Sequence, residues 1–171
     1  MKDQLKKYSF LVITTLIINC NSNSKDNNNY IPLLNMPKLV SELNKNGFKT
    51  EKSIFEDNSF LNENIYISDY MEYRIKLYSA QDENKVSNIR LVANIIEVNK
   101  GNIDVSYSLF NDFTKLEILE KNNKIQEAQN WLKLNFNNDK SSLQIEGLLF
   151  TIYAPTKFVR MLTIEPLEKN L

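Results

Sequence analysis

Met71-Glu72-Tyr73-Arg74-Ile75-Lys76-Leu77-Tyr78-Ser79 decides the fold. Met71, Tyr73, Ile75 and Leu77 alternate with Glu72, Arg74 and Lys76, a period of two that marks a strand with one buried face. Carried back to Ile65, the pattern predicts one long strand over 65–79. In that reading Tyr66, Tyr70 and Tyr78 share a face with Glu72, Arg74 and Lys76. Amphipathic tyrosines mixed with charge suit protein recognition or a carbohydrate platform, so Tyr66, Tyr70, Tyr78 and Arg74 are the candidate partner-binding residues. The same pattern also fits a solvated or helix-covered sheet face.

Downstream, Gln81 to Lys85 is a polar turn, and 87–98, rich in Ile and Val, predicts a second strand. Asn99-Lys100-Gly101-Asn102 predicts a tight turn with Gly101 at positive φ. Ile103, Val105, Tyr107 and Leu109 then alternate with polar residues, predicting a third strand and a three-stranded meander. Upstream, Met36-Pro37 opens a helix with Pro in its first turn. Leu39, Val40 and Leu43 form its apolar stripe. Gly47 stops it, and Phe48 folds back on the last turn. Residues 48–55 fit a short strand.

Residues 115–120 fit either strand or helix. Asn123 is placed to cap a helix, with Gln126 completing a capping box. Ile125, Ala128, Leu132 and Phe136 share its inner face, beside Trp131. The stretches 143–153 and 157–165 predict a closing hairpin around Ala154-Pro155-Thr156, with Gly147 a small residue inside a strand. The expected architecture is α+β: an antiparallel sheet, made of a β-meander plus a C-terminal hairpin, with two helices packed on one face.

The 171 residues suit a single domain able to bury a core without disulfides or metals. Lys+Arg and Asp+Glu are 21 each. The first nineteen residues carry Lys2, Lys6 and Lys7 against Asp3, so the remainder is net −2. That balance points away from nucleic acid as a partner. There is one Cys and no His, so an internal disulfide and histidine chemistry are both excluded.

The chain begins with a basic stretch containing Lys2, Lys6 and Lys7. An uncharged, mostly apolar run of eleven residues, Tyr8 to Ile18, follows. A membrane-spanning helix needs about 20 residues, so the run fits the apolar part of an export signal. Leu16-Ile17-Ile18-Asn19-Cys20 resembles a bacterial lipoprotein signal, although Asn19 stands where a small residue is usual. Asn21 to Asn29 is entirely polar. The resemblance implies a signal peptide over 1–19 and a cysteine, Cys20, that is lipidated and becomes the new N-terminus. A polar tether to residue 30 and a folded domain over 31–171 complete the expected organisation. The location it implies is a membrane-anchored lipoprotein of the outer membrane or cell surface, with the bilayer itself a partner through the lipid.

Chemistry-bearing motifs are sparse. Asp82, Glu83, Asp104, Asp112, Asp139, Glu146 and Glu165 supply carboxylates, but no spacing selects a catalytic pair. Gly47, Gly101 and Gly147 are too dispersed for a phosphate-binding loop. Asp26 to Asn29 and Asp57-Asn58 lack the spaced acids of a calcium loop. No cofactor or metal is expected. The sequence therefore points to a non-enzymatic binding or interaction domain at the cell envelope, with a protein partner. The alternatives are an immunity or accessory lipoprotein and an envelope-acting hydrolase using paired carboxylates.

Overall fold

A computed structural model describes residues 30–167. The signal-like run, Cys20 and the polar tether 21–29 lie outside the described residues. The fold is α+β, with seven strands in one antiparallel sheet and four helices among the described residues.

Helix α1 spans Met36–Lys45 and behaves as its sequence predicts. Asn35 caps it by accepting from the Lys38 amide at 3.0 Å. At its other end Gly47 takes φ +86°, and the Phe48 amide returns to the Leu43 carbonyl at 3.1 Å. Strands β1 (Lys49–Ile54), β2 (Phe60–Ile67), β3 (Met71–Ser79) and β4 (Asn88–Ile95) follow as an antiparallel meander.

The long strand expected over 65–79 is therefore two strands. Ser68 closes the turn between them, its amide donating to the Met71 carbonyl at 2.9 Å. The turn changes which residues share a face. Tyr66 pairs with Tyr73, so it stands on the core side and not with Glu72, Arg74 and Lys76.

The predicted third strand over 103–109 is a helix, α2, Lys100–Asp112. Asn99 is its N-cap, accepting from the Asn102 amide at 2.9 Å, and Gly101 lies inside the helix without a positive φ. Ser106 and Phe110 are its buried positions. Helix α3 spans Glu117–Lys121 and α4 spans Ile125–Asn135. Asn123 does not cap α4. It adopts φ 56° in the connecting turn, where the Lys124 amide reaches the Leu119 carbonyl at 2.7 Å. Gln126 bonds forward to Asn130 at 2.8 Å, so no capping box forms.

The chain returns through β5 (Lys140–Ile145), β6 (Leu148–Thr156) and β7 (Val159–Pro166). Glu146 and Gly147, at φ 49° and 75°, form a two-residue turn between β5 and β6. Gly147 is thus a turn residue, and the expected two-strand closing hairpin is a three-stranded meander. The ladder between β6 and β7 shifts register between Tyr153 and Thr156, which accommodates Pro155.

Sheet order is β1-β2-β3-β4-β7-β6-β5. The two meanders join where β4 pairs with β7. Met36, Leu39 and Leu43 of α1, Phe110 of α2, Leu119 of α3 and Leu132 of α4 pack into one core. Facing them from the sheet are Ile75, Leu77, Leu91, Phe150 and Leu162. Four helices, rather than the expected two, cover this face.

Candidate functional site

No helix among the described residues covers the other face of the sheet. Cross-strand register places Ile65, Arg74, Val92, Met161 and Tyr153 in one row over five strands. A second row holds Glu63, Lys76, Arg90, Thr163 and Thr151. The surface is thus mixed, a mostly apolar row beside a charged and polar one, with the alternate residues of each strand turned to the helix side.

Arg74 sits near its centre and is held firmly. Its Nε donates to Glu72 Oε1 at 2.6 Å and its Nη1 to Glu63 Oε1 at 3.3 Å. Lys76 Nζ lies 3.4 Å from the same Glu63 oxygen. Asn94 Nδ2 donates to Glu72 at 3.1 Å. The hydrogen bond from Arg74 is the largest of the influences holding Glu72 below the ordinary glutamate value, and Glu72 in turn raises Arg74. Both groups therefore stay ionised at neutral pH.

The three tyrosines part company. Tyr78 stays on the open face, its ring 5.9 Å from the Arg90 guanidinium. Tyr66 packs on the core side, 5.7 Å from the Phe48 ring and 6.3 Å from Tyr73. Tyr70 lies in the β2–β3 turn at one end of the sheet. Only Tyr78 and Arg74 therefore share the open face, and Tyr70 borders it.

Sequence reasoning missed what surrounds Tyr70. Its carbonyl accepts from the Ile96 amide at 2.8 Å, and the Ile95 amide donates to the Phe158 carbonyl at 2.7 Å. These bonds draw three chain segments together. Ile67, Tyr70, Ile96 and Phe158 lie there with 68%, 48%, 63% and 44% of their surface exposed. Large apolar side chains this exposed are informative when they cluster. Asp69 and Glu97 flank Tyr70 and Ile96, both exposed and without an ion-pair partner among the described residues. Lys157 lies at the margin, its ammonium 5.0 Å from the Phe158 ring, and Lys100 opens α2 nearby.

The carboxylates named from sequence are dispersed. Asp112 pairs with Lys115 at 2.6 Å, Glu83 with Lys52 at 2.6 Å, and Glu146 accepts from Asn122 at 2.8 Å. Glu165 accepts from Asn88 at 2.9 Å, while Asp82 caps its own turn through the Asn84 amide at 2.9 Å. Among the described residues no three acid or cysteine side chains gather as a metal site.

No protein-family model, curated protein or solved structure matches the chain.

Proposed function

We propose that the chain is a lipoprotein anchored to an envelope membrane through Cys20, and that its α+β domain is a non-enzymatic module that binds a protein partner. The supporting observation is the uncovered face. Four helices pack on one side of the seven-stranded sheet. The other side presents Tyr78, Arg74, Val92 and Met161 on a rigid support. Binding groups held by strands and fixed ion pairs lose little freedom on association.

Affinity recovery of the full-length chain from its own membranes tests this reading. A protein partner should co-purify with the wild type and be depleted by Tyr78→Ala, since truncating an interface tyrosine can cost about 2 kcal/mol or more. Recovery of the wild-type chain alone would overturn the binding reading.

A further inference from the structure

We propose that the cleft between the first turn of α1 and the β1–β2 hairpin is a small-molecule site, and that it takes a small zwitterion with one apolar side chain, an apolar α-amino acid. The site is separate from the open face of the sheet. Lys52 and Asn62 share a cross-strand row with the buried Leu77, so all three stand on the helix side.

Asn62 carries the proposal. It is only 7% exposed. Its carboxamide has two hydrogens to donate and an oxygen to accept with, yet it makes no hydrogen bond with any described residue. Asn64, two residues along the same strand and on the same face, shows how a buried carboxamide is otherwise satisfied here. Its Nδ2 donates to the Ile75 carbonyl at 3.1 Å and its Oδ1 accepts from the Thr50 hydroxyl at 2.6 Å. Asn62 differs in lining a cavity of about 190 Å³. Buried polar groups are nearly always partnered, so an unpartnered one aimed into a cavity points to a partner from outside the chain.

The rest of the lining selects the occupant. Met36, Pro37 and Val40 of α1 form an apolar wall. Lys52 and Glu83 also line the cleft, their charged groups 2.6 Å apart. A simple anion would meet Glu83 and a simple cation would meet Lys52. A molecule bearing both charges is matched, its carboxylate to Lys52 and its ammonium to Glu83, so that one ion pair is exchanged for two. Both members of the existing pair are about half exposed, so opening it costs little. Asn62 Nδ2 then donates to the ligand carboxylate and Oδ1 accepts from the ammonium, while an aliphatic side chain lies on Met36 and Val40. The volume falls below the roughly 300–1,000 Å³ of sites for drug-sized ligands, which suits one amino acid and not a nucleotide or an oligosaccharide. The walls are fixed to each other. The Met36 amide donates to the Asn84 carbonyl at 2.9 Å, joining α1 to the β3–β4 turn that carries Glu83.

The test is a titration of the full-length chain, in detergent micelles, with L-leucine, followed by proton–nitrogen NMR. The side-chain amide of Asn62 and the backbone amide of Val40 should shift together and saturate at millimolar ligand. Three analogues should each bind at least about tenfold more weakly, because each leaves a site group unmatched. They are 4-methylpentanoate, which lacks the ammonium, isoamylamine, which lacks the carboxylate, and glycine, which lacks the side chain. Lys52→Met and Glu83→Gln should each weaken leucine at least about tenfold and leave the melting temperature unchanged, since both positions are exposed. Asn62→Leu should fold, because it replaces an unpartnered amide by an apolar group of similar size, and should lose the saturable shift at Val40. Should Asn62→Leu not fold, Lys52→Met and Glu83→Gln decide alone. No saturable shift in the wild type, an equal response to either singly charged analogue, or leucine binding unchanged in the variants would each overturn the proposal. None of these results bears on the open face, whose partner is tested separately by affinity recovery.

Discussion

Tyr66 faces Tyr73 directly across the β2–β3 hairpin, with ring centroids 6.3 Å apart, and both stand on the helix side of the sheet. Tyr73 also donates to Met71 Sδ at 2.9 Å and lies 3.4 Å from Ser106 Oγ of α2. The pair therefore joins hairpin to helix layer, leaving Tyr78 and Tyr70 for the outside.

Alanine substitutions should follow that division. Tyr73→Ala empties a buried site and should cost about 3–5 kcal/mol. Tyr66→Ala, at a half-buried ring, should cost about 1–3 kcal/mol, and exposed Tyr70→Ala should stay within about 0.5 kcal/mol. Thermal melts of the three variants check the order. A large loss at Tyr70 with none at Tyr66 would contradict the register.

Arg160 should be structural despite its charge. It is only 5% exposed. Its Nε and Nη2 donate to Asn137 Oδ1 at 3.2 and 2.8 Å, and its Nη1 to the Thr156 and Val159 carbonyls at 2.8 and 2.9 Å. The guanidinium also lies 5.8 Å from the Phe136 ring at the end of α4, where a cation is favoured. Burial lowers its affinity for the proton. Arg160→Met would leave those acceptors unpartnered and should cost about 2 kcal/mol or more. Arg160→Lys should recover only part, because an ammonium lacks the planar fork. Urea titrations of both variants check this.

Stability should carry a signature of Glu72. Its folded pKa is depressed, chiefly by the Arg74 hydrogen bond. The contribution is thus complete above the unfolded glutamate value near about 4.3 and is lost as pH falls through the folded value. Glu72→Gln should be less stable than wild type at neutral pH, by about 0.2–1 kcal/mol for a pair this accessible. The gap should close in acid. Melting temperatures across pH 3 to 7 check it, and a gap constant with pH would remove the assigned ion pair.

Local chemistry made parts of this fold legible. Pro37, Gly47 and Phe48 each act within one turn of α1, and the alternation at Met71 to Ser79 is a nearest-neighbour pattern. Each misreading has its own local cause. Ile103, Val105, Tyr107 and Leu109 alternate like a strand. The helix buries Ser106 and Phe110 instead, and a polar serine breaks the apolar stripe that would have revealed it. Asn99 caps a helix with the same side chain that suits a turn. Tyr66 was misplaced because a three-residue turn, 68–70, shifts facing parity without a Gly or Pro to announce it. The β4–β7 pairing and the cluster of Ile67, Tyr70, Ile96 and Phe158 depend on segments far apart in sequence, which no local pattern encodes.

The proposed anchor at Cys20 is the premise on which the account stands, and metabolic labelling with an alkyne analogue of palmitate tests it most directly. The full-length chain, expressed in a bacterium that processes lipoproteins, should take up the label and sediment with membranes. Cys20→Ser should lose the label and either remain unprocessed or be released. Equal labelling of the wild type and Cys20→Ser, or no labelling of a membrane-bound wild type, would contradict the account.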